Sequence, residues 1–140
     1  MPSIRERILN ALQARLDAAL TVPVYRAPIL AARRENMPLL ILEPQAESVE
    51  SIAGELSERQ LSVVLHVLTR GDLAHQQADE LQVSANQAML ALSHLPEPAF
   101  LIHEVDCDWD FEDADSIAEH LVTRYQIRYL CNRQDLSQGN

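Results

Sequence analysis

The sequence predicts an α+β domain of order α-β-β-α-β-β, with a mainly antiparallel four-stranded sheet and both helices packed on one of its faces. Three observations carry this expectation. Two segments repeat apolar residues every three to four positions, as helices do, and three others alternate with period two, as half-buried strands do. The strand segments are long and joined by loops rather than helices, which favours antiparallel pairing. At 140 residues, with 47% hydrophobic and 23% charged residues, the chain has the size and composition of one globular core.

Ser3-Ile4-Arg5-Glu6 reads as a capping box, in which the Ser3 hydroxyl accepts an orphan amide and Glu6 reaches back. Ile4, Ile8, Leu12, Leu16 and Leu20 then form one stripe, giving a first helix over about 3–20 that Pro23 closes. Between Val22 and Met37 the prolines at 23, 28 and 38 block regular pairing, so this stretch is expected to be irregular. Leu39-Leu40-Ile41-Leu42, bounded by Pro44, is a short buried strand, and the polar residues 45–58 connect it onward. In 60–70, Leu61, Val63, Leu65 and Val67 make one wholly apolar face while the other is mixed, the pattern of a central strand.

Gly71-Asp72 breaks that strand and offers an N-cap for a second helix, about 73–95, which Pro96 and Pro98 end. Its stripe (Ala74, Ala78, Leu81, Ala85, Ala88, Leu92, Leu95) is rich in alanine and suits close approach to a sheet. The sharpest period-two signal follows. His103, Val105, Cys107, Trp109 and Phe111 alternate with Glu104, Asp106, Asp108, Asp110 and Glu112. After a loop with Asp113 and Asp115, Leu121, Thr123, Tyr125, Ile127 and Tyr129 mark the last strand. One domain over 1–132 and a flexible polar tail over 133–140 complete the expectation.

Charge is unevenly placed. Residues 1–70 are neutral, 71–123 hold twelve acids and no Lys or Arg, and 124–140 regain three arginines, for a net charge of −10. A field of that sign repels phosphates and disfavours ordinary nucleic-acid binding. No apolar run reaches the ~18–20 residues that span a bilayer. The N-terminus lacks a signal-peptide pattern, so assembly in the cytoplasm and no membrane contact are expected. Cys107 and Cys131 lack CxxC spacing and read as small buried hydrophobes.

The acidic strand face is the candidate site. Like charges ~6.5–7 Å apart along a strand repel by ~0.6 kcal/mol per pair in bulk water, which must be tolerated or used. Arg124 and Arg128 on the last strand could neutralise Asp110 and Asp106 across the sheet. Asp106, Asp108 and Asp110 could instead bind Mg²⁺, but carboxylates along a straight strand cannot converge on an ion at ~2.1 Å. A third reading is a wall past which DNA slides. Arg33-Arg34 offers a contact for an acidic partner. The histidines at 66, 75, 94, 103 and 120 show no HxH or HExxH spacing, and GxSxG, P-loop and GxGxxG motifs are absent, so no catalytic residue, metal or cofactor is expected.

In layout the chain resembles the phage tail terminator group, relatives of the lambdoid minor tail protein U. The landmarks are the opening helix RERILNALQARLDAAL running into VPVYRAP, the strand of MPLLILEP, and RQLSVVLHVLTRGD leading into HQQADELQVSANQAMLAL. VDCDWDFEDADSIAEHLVTRYQIRYL, whose last strand carries alternating aromatics, closes the pattern over residues 3–131. The resemblance is one of order and pattern, so no individual residue role is carried over. It implies a non-catalytic subunit of the virion tail that forms a ring, commonly a hexamer, contacting the tail tube protein and the head-completion protein while DNA passes without specific binding. Glu104, Asp106, Asp108, Asp110 and Glu112 would then face the channel or a subunit boundary. Two other classes stay open: an acidic DNA mimic that inhibits a basic protein, and a metal-dependent phosphohydrolase.

Overall fold

The computed structural model describes residues 1–26, 37–91, 100–109 and 118–139. Arg33, Arg34, His94, Asp110, Glu112 and the expected last turn of the second helix, 92–95, lie outside the described residues.

Helix α1 spans Ile4–Ala19, and the Glu6 amide donates to Ser3 Oγ at 3.1 Å, the forward half of the capping box. The return half is not made. Glu6 turns its carboxylate to Arg26 instead, with Nη2 to Oε2 at 3.1 Å, because a charged partner outbids a neutral amide. Ile4, Ile8, Leu9, Leu12 and Leu16 are buried, as their spacing requires.

The four-stranded antiparallel sheet is corrected to a mixed sheet of five strands in the order β1-β2-β3-β5-β4: β1 Val24–Tyr25, β2 Leu39–Ser51, β3 Leu56–Arg70, β4 Leu101–Trp109 and β5 Ala118–Asn132. The added strand, β1, runs parallel to β2, with Val24 opposite Leu40 and Tyr25 opposite Ile41. Two residues beside Pro23 cannot display a period, so nothing in their own sequence marks them. Tertiary contacts fix them instead: Leu40 N–H donates to the Pro23 carbonyl at 2.9 Å, and Gln13 Nε2 on α1 donates to the Val24 carbonyl at 3.0 Å.

β2 also runs far past Pro44, where the sequence had suggested a stop. The register with β3 shifts between Pro44 and Ala46, and beyond Ile41 no described strand lies on the outer side of β2. A proline is tolerated at such an edge bulge, because no neighbour needs its missing N–H. The expected polar connector is thus a β-hairpin turning at Gly54, whose φ of 59° is the left-handed region glycine reaches without strain.

Helix α2 spans Ala74–Met89 with Leu73 at the N-cap and no side-chain cap bond, so Asp72 does not cap it. The start is held by the backbone, Ala74 N–H to Gly71 O at 3.0 Å and Gln77 N–H to Leu73 O at 2.9 Å. Ala74, Ala78, Ala85 and Ala88 bury the alanine stripe and let α2 lie close to the sheet. No helix among the described residues is long and apolar enough to cross a membrane.

Both helices pack on one sheet face. Leu40 and Leu42 of β2, Leu61, Val63, Leu65 and Val67 of β3, and Leu121, Tyr125, Ile127 and Tyr129 of β5 meet the buried stripes of α1 and α2 in one core. Fully burying each large side chain contributes ~1.5–3 kcal/mol. The opposite face is not wholly polar: Leu39, Ile41 and Leu68 form a second cluster with Met37 packed against it. Residues 133–139 turn back on α1, with Ile4 N–H donating to Leu136 O at 2.9 Å and Arg7 Nη2 donating to Ser137 O.

Candidate functional site

β4 carries the described part of the acidic pattern, and it is an edge: among the described residues its only strand neighbour is β5. Its register with β5 shifts between Glu104 and Asp106, so Val105 is an extra residue in a bulge. Such an insertion flips the side to which later residues point. Ile102 and Glu104 pair with Ile127 and Tyr125, which belong to the helix-side core. Asp106 and Asp108 pair with Arg124 and Val122, which face the other way. The acids therefore do not form one row. Asp106 and Asp108 share the face away from the helices, while Glu104 stands on the helix side. There its charge adds to burial in pushing the Tyr125 phenol up.

Cross-strand neutralisation occurs with a different pairing from the expected one. Arg124 donates Nη1 to Asp106 Oδ1 at 2.8 Å and to Asp108 Oδ2 at 2.7 Å, and these bonds hold its pKa up. The register of β4 on β5, which starts with Leu101 opposite Arg128, sets Asp106 opposite Arg124 rather than Arg128. Arg128 lies opposite Leu101, and its Nε is 3.6 Å from Glu58 Oε1 on β3. Two carboxylates directed at one guanidinium leave little for an ion. Among the described residues no three His, Cys, Asp or Glu side chains are grouped as metal ligands.

Three polar groupings were not legible in the sequence. Glu47 on β2 accepts from Arg5 of α1 at 2.8 Å, from Arg59 of β3 at 2.9 Å and from the Tyr129 hydroxyl of β5. Burial and the Glu47 contact raise the Tyr129 phenol. Burial alone would lower Arg59, but its bond and charge interaction with Glu47 raise it. The buried Glu119 carboxylate meets the exposed His75 at 2.8 Å. On the face away from the helices, His66 Nδ1 and His120 Nε2 lie 2.7 Å apart, with Glu43 Oε2 at 3.8 Å from His66 Nε2. Each joins residues forty or more apart in sequence or on different elements, and only strand register and helix packing bring them together.

α2 lies along the same edge. Gln82 Nε2 donates to Cys107 Sγ at 2.9 Å and to Thr123 Oγ1 at 3.2 Å, and the Tyr125 hydroxyl donates to Asn86 Oδ1 at 2.6 Å. Helical spacing places Asp79 and Val83 beside these residues. The resulting flank exposes Leu101 (71%), Val105 (56%), Val83 (54%) and Trp109 (46%). α2 and β4 themselves contribute only negative charge, since residues 72–91 and 100–109 contain Asp72, Asp79, Glu80, Glu104, Asp106 and Asp108 but no Lys or Arg, and Arg124 of β5 offsets Asp106 and Asp108 in part. A strand edge that no described strand covers, exposed apolar side chains and a preponderance of negative charge make a surface suited to recognition.

No protein-family model matches the chain, and no curated protein matches it. A solved chain from "Virion of native gene transfer agent (GTA) particle" shares the fold, with a TM-score of 0.51, 14% identity and 90% of each chain covered.

Proposed function

We propose that the chain is a structural, non-catalytic subunit of a phage-like particle, and within that role a tail terminator or tail-completion protein. Copies close into a ring, a hexamer on the pattern of the group it resembles. The ring caps the tail tube and joins it to the head, within a virion assembled in the bacterial cytoplasm. The observation that supports this reading is the fold shared with a virion chain along nine-tenths of both chains. The order of landmarks that resembles tail terminators points the same way.

The electrostatics suit the role. A ring needs unlike surfaces that meet head to tail. Residues 1–26 bear Arg5, Arg7, Arg15 and Arg26 against Glu6 and Asp17, while α2 and β4 bear only acids. Carboxylates on a channel wall repel phosphate and let DNA slide.

The test is molar mass in solution across a hundredfold concentration range, with electron microscopy of the largest species. A closed ring that caps preformed tail tubes is the expected result. Monomers at every concentration and ionic strength would refute the reading.

A further inference from the structure

We infer that the outer edge of β4 is a strand-addition site for an extended, basic segment of a partner protein, in which Lys or Arg alternates with apolar residues. An edge strand leaves a row of backbone N–H and C=O groups unpaired, and a chain in extended form can satisfy them as a sixth strand. No described strand pairs with the outer side of β4, and that side is flanked by exposed Leu101, Val105 and Trp109, which give an incoming strand apolar contacts on both faces. Trp109 is of the residue type that most often anchors an interface.

The charge around this edge selects the occupant. The acids of α2 and β4 are exposed, and among the described residues Arg124 is the cation that meets them, so a second β4 edge approaching would set carboxylate against carboxylate. That repulsion, with the bulge at Val105, closes the edge to copies of itself. An arginine- or lysine-bearing strand meets the opposite field and is drawn in. Side chains alternate along such a segment, so its cations can meet Glu104 on the helix side, where Trp109 also stands, while its apolar residues meet Leu101 on the other face. This inference goes beyond ring formation and does not depend on it.

Trp109 is the one tryptophan of the chain, so its emission reports on the edge directly. The probe is a nine-residue peptide alternating Arg and Val, titrated into the intact protein. Two controls accompany it: a Glu/Val peptide of equal length, and an Arg/Val peptide of equal charge with prolines replacing two valines. A saturable emission change with the first peptide is expected, with none for the Glu/Val peptide. At least tenfold weaker binding is expected for the proline peptide, because proline cannot complete a ladder.

Glu104→Arg should weaken the Arg/Val peptide about tenfold while circular dichroism shows an unchanged fold. A proline peptide that binds as well as its parent would overturn the inference, since charge alone would then explain the binding. So would indifference to Glu104→Arg, or cross-linking between cysteines placed at Glu104 of two copies that joins β4 to β4. Rings without peptide binding refute only this inference, and binding without rings refutes only the function proposed above.

Discussion

Glu104 and Asp106 stand two residues apart on β4, yet they face opposite sides of the sheet, because Val105 bulges between them. A run of alternating acids is thereby split into two surfaces with different surroundings. Asp106 sits against Arg124, and Glu104 faces the side where Tyr125 is buried.

The split makes the two sets of acids separable. Asp106→Asn together with Asp108→Asn removes an exposed ion-pair cluster and should change stability by less than about 1 kcal/mol. Glu104→Gln should leave stability equally untouched but lower the Tyr125 phenol toward its ordinary value, because a negative charge that disfavours the phenolate is gone. Denaturant melts and ultraviolet titration of the phenols check both. Additive effects in the triple variant would agree with separate faces.

Glu47→Gln should destabilise the fold by roughly 2–3 kcal/mol, since it leaves Arg5 and Arg59 without the carboxylate they share at a mostly buried position. Urea denaturation gives the number. Combining it with Tyr129→Phe should cost less than the sum of the single changes, because both alter one network.

Alkaline pH should unfold the protein earlier than its core would suggest. Burial raises the Tyr125 and Tyr129 phenols above their ordinary 10.0, with the Glu47 bond adding to the rise at Tyr129. Folded phenols therefore keep their protons where unfolded ones lose them. The phenols' contribution to stability is intact below pH 10 and falls as pH rises, by at most about 1.4 kcal/mol per pH unit for each phenol. Melting temperatures across pH 9–12 test this, and the slope should flatten in the Tyr125→Phe variant.

Ala85→Leu should cost roughly 1–3 kcal/mol, as Ala85 is fully buried where α2 meets the sheet and a larger side chain must push the helix outward. A thermal melt reads the loss directly. The same substitution at exposed Ala14 on α1 should be nearly neutral.

What could be read in the sequence was whatever repeats. The stripe of α1, the alanine stripe of α2 and the alternation of β3 and β5 are set by periodic burial, and all four elements form on those periods, although α2 stops at Met89, short of the expected 95. What could not be read was whatever two distant segments decide together. Val24–Tyr25 is a strand because α1 and β2 hold it there, and 43–51 is a strand because β3 runs beside it. At the candidate site the residue types were legible, but a strict period-two reading assumes no insertion. One extra residue at Val105 moves Asp106 and Asp108 to the face opposite Glu104 and hands both to Arg124. The Glu47 cluster and the His66–His120 pair were hidden for the same reason, since register is a property of two strands.

The strand order has a consequence for biosynthesis. β4 leaves the ribosome before β5, yet β5 is the strand it pairs with, and β5 also fills the place beside β3. A nascent chain that has not reached Ala118 therefore displays two bare ladders, one on β3 and one on β4, with no means of joining them. Folding must wait for synthesis of the last strand, and until then the hairpin of β2 and β3 is the part of the sheet that can form. Translation arrest just before residue 118 should leave a chain that holdase chaperones bind and proteases cut, while arrest a few dozen residues beyond the end should release a resistant one.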